Sequence, residues 1–198
     1  MKARRSAFRR ALRAAAWAAL LGLASLAAAQ EQAVMARQHG EWLSGVILGQ
    51  APLRYRYLTE HLDGAAYVSL SVDVLAGDCQ KRFVTLNVHV PEPLAGDFLS
   101  EGLQGAVRVD RHAARKLVYR AGTQGGRNVI FMYLMEIDGE DALWKELAAG
   151  EVVRFRFPTE RKEYLVRFSL QGFPQAQQRA LTLCRAPSVE ADRPYFQK

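Results

Sequence analysis

The sequence predicts a mainly β protein, an antiparallel β-sandwich or open barrel with two short helices and one disulfide. Three observations predict it. Apolar and polar residues alternate over several stretches of strand length. Turn residues separate those stretches, at Asp63-Gly64, Gly77-Asp78, Asp138-Gly139 and Gly172-Phe173-Pro174. Helical patterning is confined to two short runs, after Gly139 and after Pro174, and to an ambiguous lead-in near the N-terminus.

Residues 1–29 read as a signal peptide, 30–185 as a single β-rich domain and 186–198 as a loose tail. Lys2, Arg4, Arg5, Arg9, Arg10 and Arg13 form a positive region free of acids. The apolar run that follows, Ala14 to Ala29, is shorter than the roughly 20 residues a spanning helix needs. Ala27 and Ala29 suit cleavage before Gln30, and no cysteine there offers a lipid anchor. The two Arg-Arg pairs fit general secretion better than the twin-arginine route. The chain is therefore expected in the periplasm, touching the membrane only through the signal peptide before cleavage.

Removing that segment changes the charge. The whole chain has 27 Lys+Arg against 20 Asp+Glu, and six of those bases lie in residues 1–29, leaving 21 against 20. A high overall pI thus belongs to the export signal, and a global pull towards nucleic acid is not expected. Cys79 and Cys184 are the two cysteines. In an oxidising compartment they point to one structural disulfide, against intermolecular pairing or two free thiols. Such a loop stabilises by about 4–5 kcal/mol in the chain-entropy description.

Taken in order, residues 31–49 are expected to form a short helix or irregular lead-in broken at Gly40, then extended chain. Trp42 to Leu48 could be an edge strand weakened at Gly45. Leu53 to Leu58 alternates Arg54 and Arg56 with Tyr55 and Tyr57. Tyr67 to Val74 shows the clearest period of two, with Val68, Leu70, Val72 and Val74 against Ser69, Ser71 and Asp73. Phe83 to Val90 repeats it until Pro91 and Pro93 stop the ladder. Leu94 to Gly105 reads as a loop or distorted helical turn. Ala106–Val109 and Leu117–Arg120 make a short hairpin, Gly122 to Gly126 a turn. Asn128 to Glu136 is apolar on both faces, as in a central strand buried on two sides. Asp141 is the expected N-cap of the first helix, and Gly150 the left-handed residue that ends it. Leu143, Trp144 and Leu147 should face the core. Val152 to Phe157 and Tyr164 to Leu170 form a final hairpin with Arg154 and Arg156 outward. The last helix presents Ala176, Ala180, Leu181 and Leu183.

Catalytic and metal signals are weak. His39, His61, His89 and His112 share no ligand spacing with one another or with cysteine, so no metal or other cofactor is expected. A nucleophile elbow is absent. Asp97, Glu101, Asp110, Asp138 and Glu140 sit in turn-like segments, and Gly122, Gly125 and Gly126 lack the strand-to-helix setting of a phosphate cradle. The chain is not expected to be an enzyme. Alternation at Arg54-Tyr55-Arg56-Tyr57 and Arg154-Phe155-Arg156-Phe157 is what one buried and one solvated sheet face produces. The sharper expectation is that Arg54, Arg56, Arg154 and Arg156 share a face and dock an acidic partner or a carboxylate-bearing wall component.

Cys79 before the strand Phe83–Val90, Val109-Asp110, an apolar strand and a Leu/Trp helix form one pattern. It closes on Phe168-Ser169-Leu170-Gln171-Gly172-Phe173 and an alanine-rich helix ending at Cys184. Across residues 79–184 this resembles small exported proteins of the invasion-associated locus B type, and type VI secretion-associated periplasmic accessory proteins. It departs in the first third, where no further cysteine stands beside Trp42. The resemblance implies a β-sandwich-like, non-enzymatic periplasmic module and carries over the pair Cys79 and Cys184. The expected function is an accessory module docking an envelope or secreted protein. Alternatives are an inhibitor of cell-wall hydrolases, acting through residues 94–105 or 121–127, or a cell-wall hydrolase.

Overall fold

The computed structural model describes residues 32–49, 52–63, 66–90, 94, 96–123, 128–158 and 163–186. The expected signal peptide, Gly64 of the Asp63-Gly64 turn, the prolines at 91 and 93, and the tail from 187 lie outside these residues. Ten strands are seen among the described residues: β1 (Gln32–His39), β2 (Trp42–Leu48), β3 (Arg54–Asp63), β4 (Ala66–Leu75), β5 (Asp78–His89), β6 (Leu99–Val109), β7 (Arg115–Thr123), β8 (Val129–Ile137), β9 (Val152–Pro158) and β10 (Glu163–Ser169). Helix α1 (Glu140–Ala149) joins β8 to β9, and α2 (Phe173–Arg185) follows β10.

All ten strands form one open sheet in the order β1-β2-β3-β4-β5-β8-β7-β6-β9-β10. Every pairing with a defined register from β2 to β10 is antiparallel. The sheet rolls over, because β10 at one end also lies against β3. Two hydrogen bonds fasten this seam: Trp42 Nε1 donates to Ser169 O at 2.8 Å, and Glu41 N donates to Gln171 O at 2.9 Å. Helix α2 packs on β2, β3, β4 and β5, and α1 packs on α2 and β6. The result is the open-barrel form of the expected mainly β fold.

The alternating segments bury the faces their patterns specify. Tyr55 and Tyr57, Val68 to Val74 in steps of two, Val84, Leu86 and Val88, and Val153, Phe155 and Phe157 all line the core. Around Phe173 stand Trp42 at 4.9 Å edge-on, Tyr57 at 5.7 Å and Trp144 stacked at 6.4 Å between ring centroids. Arg82, opposite Val74, lays its guanidinium over Trp144 at 4.6 Å. A residual cavity of about 20 Å³ lies among Trp42, Leu70, Val84 and Phe173. That is room for roughly one water, and its apolar lining gives a water little to bond.

Five expectations are corrected. Residues 32–39 form a strand, not a helical lead-in; the neighbouring β2 imposes the extended state on a sequence with little strand propensity of its own. The segment 94–105 is not a continuous loop, since β6 begins at Leu99. Gly102 at φ +69° lies within a register shift between Ser100 and Leu103, and that extra length scrambles the alternation. Strand β8 is central, between β5 and β7, but only Ile130, Met132 and Leu134 are buried in it. Its other face is half-buried at Phe131 and Tyr133, where neighbouring side chains give partial cover. Helix α1 starts at Glu140, after a left-handed Gly139 whose carbonyl accepts from Ala142 and Leu143, so Asp141 is not its cap. Gly150 is extended at φ −87°, and its role is space: a Cβ there would overlap Val109 and come within 2.8 Å of the Asp110 carboxylate.

Candidate functional site

Cys79 on β5 and Cys184 in the last turn of α2 form the expected disulfide, with Cα atoms 5.9 Å apart. It ties the helix to the β4–β5 hairpin, where Cys184 Sγ also lies 3.2 Å from Leu75 O.

The four arginines singled out in the sequence divide into two settings. Arg54 and Arg56 on β3 converge on Asp73 of β4, which is only 4% exposed. Arg56 Nε donates to one carboxylate oxygen at 2.7 Å and Nη2 to the other at 2.9 Å, the two-pronged geometry guanidinium favours. Arg54 Nη1 adds a longer contact at 3.4 Å. These two cations are committed to holding β3 against β4.

Arg154 and Arg156 sit on β9, six strands further along the sheet from β3. Arg156 lies 3.8 Å from Glu163. Arg154 is placed differently. It stands directly opposite Arg108 on β6 and directly opposite Arg167 on β10. Pairing partners point the same way, so three arginines stand abreast on the outer face, all exposed. Asp110 N donates to Val152 O, and Leu170 N to Glu151 O. By the two-residue alternation of an antiparallel ladder, Arg154 and Arg167 are therefore a non-hydrogen-bonded pair, with Cα atoms about 4.5 Å apart and side chains at their closest. Among the described residues, none of Arg108, Arg154 and Arg167 forms an ion pair. Like charges directly opposed cost a sheet stability. Arg108 and Arg167 were missed in the sequence because only the register brings them to Arg154; their outward alternation beside Val107, Val109, Val166 and Phe168 was the available signal.

Beside this row, at the seam, lies a cleft of about 250 Å³ lined by Glu41, Thr59, His61, Val152, Arg154, Arg167, Phe168 and Ser169. His61 meets the Phe168 ring edge-on at 5.0 Å. On the other side of Arg154, a shallower depression includes Asp110, Arg111, His112 and Glu151. Asp110, at φ +44°, caps the start of β9 by accepting from Glu151 N and Val152 N, each at 2.9 Å. Those two bonds hold its carboxyl below the ordinary aspartate value, helped by Arg154 and His112. A depressed folded-state value stabilises fully above the ordinary value of about 3.9 and is lost as pH falls through the folded value. Asp110→Asn should therefore lower the Tm at neutral pH, and the gap from wild type should close in acid. A gap independent of pH, measured by thermal melts across that range, would refute the charged cap.

His39 Nε2 lies 2.9 Å from Ser44 Oγ. Ser44 is fully buried, and Arg179 of α2 donates to its Oγ at 3.1 Å, to its carbonyl at 3.2 Å and to Met35 O at 2.7 Å. Burial and the charges of Arg37 and Arg179 lower the imidazole pKa. The neutral ring suits a clamp between α2 and the β1–β2 hairpin, in which the buried serine oxygen is shared by His39 and Arg179. Among the described residues, no group of three His, Cys, Asp or Glu is arranged to hold a metal.

Fold and surface together define a disulfide-closed, open β-barrel whose outer face carries a row of three arginines without a salt bridge among the described residues. A disulfide of this kind suits an oxidising, exported compartment. No protein-family model and no curated protein sequence matches the chain. Among solved structures it is similar to invasion associated protein B from Bartonella henselae, with a TM-score of 0.50 and 16% identity, covering 75% of this chain and 96% of that one. At that identity the likeness is one of fold. It gives the invasion-associated part of the sequence resemblance a structural counterpart, and the type VI secretion-associated part none.

Proposed function

We propose that the protein is an exported, non-catalytic accessory module of the bacterial periplasm that docks another envelope or secreted protein. The observation that carries this reading is the row of Arg108, Arg154 and Arg167, whose mutual repulsion a partner's acidic groups would offset. The nearly balanced charge beyond residue 29 supports a local contact over a general attraction to polyanions. Invasion associated protein B is, by its name, associated with invasion, and the likeness to it is one of fold.

The test has two parts. Intact-mass measurement with and without reductant should find a chain beginning at Gln30 and a single internal disulfide. Immobilised mature protein should then capture an identifiable envelope protein that, once purified, binds it in calorimetry, while peptidoglycan incubated with the chain stays intact. Lysis of peptidoglycan would overturn the non-catalytic reading, and failure of every captured protein to bind when purified would overturn docking.

A further inference from the structure

We infer that Arg154 and Arg167, flanked by Arg108, form the recognition site for a carboxylate-bearing acidic segment of a protein partner, with the seam cleft receiving the neighbouring side chain of that segment. The inference rests on the docking reading and names its chemistry. Arg154 and Arg167, whose Cα atoms stand at the closest cross-strand spacing and which form no salt bridge among the described residues, are placed to offer parallel donors to one carboxylate. Rigid strands fix them: β9 is hydrogen-bonded on both sides, by β6 and β10. The cleft next to them has an apolar wall, Phe168 and Val152, and polar groups at Thr59, His61 and Ser169. That combination fits a side chain following an acid and is wider than an inorganic anion needs.

Surrounding charge narrows the ligand further. Glu41 lines the cleft, Asp110 and Glu151 lie beyond Arg154, and Glu163 neighbours Arg156. A continuous polyanion such as nucleic acid or a sulfated glycan would meet these acids as well as the arginines. A discrete carboxylate on a mixed-charge peptide meets the arginines alone. Repulsion within the row also predicts an unusual pairing of effects, since reversing one charge should weaken binding while relieving repulsion in the free protein.

The experiment uses the mature chain and fluorescein-labelled peptides alternating glutamate with leucine or with alanine, beside a glutamine-for-glutamate control, read by fluorescence anisotropy. Arg154→Glu and Arg167→Glu should each weaken the glutamate–leucine peptide about tenfold or more, the scale of a lost charge-assisted hydrogen-bond set. Lys145→Glu, an exposed charge on α1, should leave it unchanged. The alanine peptide should bind more weakly than the leucine one, and the glutamine peptide not at all. Tm of the two arginine variants should stay level or rise. Equal weakening by Lys145→Glu, equal affinity for a heparin or DNA oligomer, or undiminished binding by both arginine variants would overturn the site. Capture of an envelope protein that the arginine variants retain would sink this site and leave the docking reading standing. Peptide binding at the arginines without any protein capture would do the reverse.

Discussion

Gly172→Ala should destabilise the protein by about 4 kcal/mol or more, near the upper end for single substitutions. Gly172 stands between β10 and α2 at φ +91°, a conformation costly for any residue with a Cβ. A Cβ there would overlap the carbonyl of His39, and its counterpart at Gly40 would come within 2.6 Å of Gln171 O. Both obstacles are backbone, so no rotamer change relieves them. The turn of the β1–β2 hairpin and the turn before α2 touch main chain to main chain, and the seam bond from Glu41 N to Gln171 O lies between the same two turns. For a chain of this size the expected fall in Tm is about 10 °C. Gly77→Ala provides the comparison: φ is +89° there, yet nothing lies within 4 Å of the added Cβ. It should cost only about 1–2 kcal/mol from backbone strain. Equal Tm losses in the two variants would show that the close approach contributes nothing.

Removing the disulfide should cost about 2–5 kcal/mol. Cys79 and Cys184 are 105 residues apart, so the bond closes a loop containing most of the sheet and much of α2. The clean measurement compares wild type, with and without reductant, against Cys79→Ser/Cys184→Ser. Reductant should bring the wild-type Tm down to that of the double variant and leave the double variant unmoved. A reductant-sensitive double variant would point to an effect elsewhere. A wild type indifferent to reductant would mean that packing of Phe173, Ala176 and Ala180 holds α2 unaided.

Much of the fold was legible because one face of the sheet is buried, and burial on one face writes a period of two into the residues. Strands β3, β4, β5 and β9 all announced themselves this way, down to the outward side chains of Arg154 and Arg156. Where the alternation is broken, the strand disappears from view. Met35 takes φ +54° within β1, and Gly102 takes +69° within β6. Gly150 was misread for a different reason: glycine after a helix usually signals a left-handed turn, but here Val109 and Asp110 leave no volume for a side chain. The site was half visible. Arg154 and Arg156 could be read as solvent-facing, and Arg54 and Arg56 likewise. That Asp73 neutralises the second pair, while Arg108 and Arg167 flank Arg154, depends on which residues face one another across strands, and no local pattern encodes register between distant segments.

The seam has a consequence for the order in which the molecule can be completed. Its closing contacts join Trp42 to Ser169, His39 to Gly172 and Cys79 to Cys184, pairs at least 105 residues apart along the chain. Until α2 has emerged, Trp42 and Tyr57 lack Phe173, and the β1–β2 hairpin lacks Arg179. An N-terminal fragment therefore has no finished core to fall into, and acquisition of structure waits for nearly the whole chain, with the slow kinetics that long-range pairing brings. α2 is thus the closing piece of the described fold, since the seam and the disulfide are both completed only when it docks.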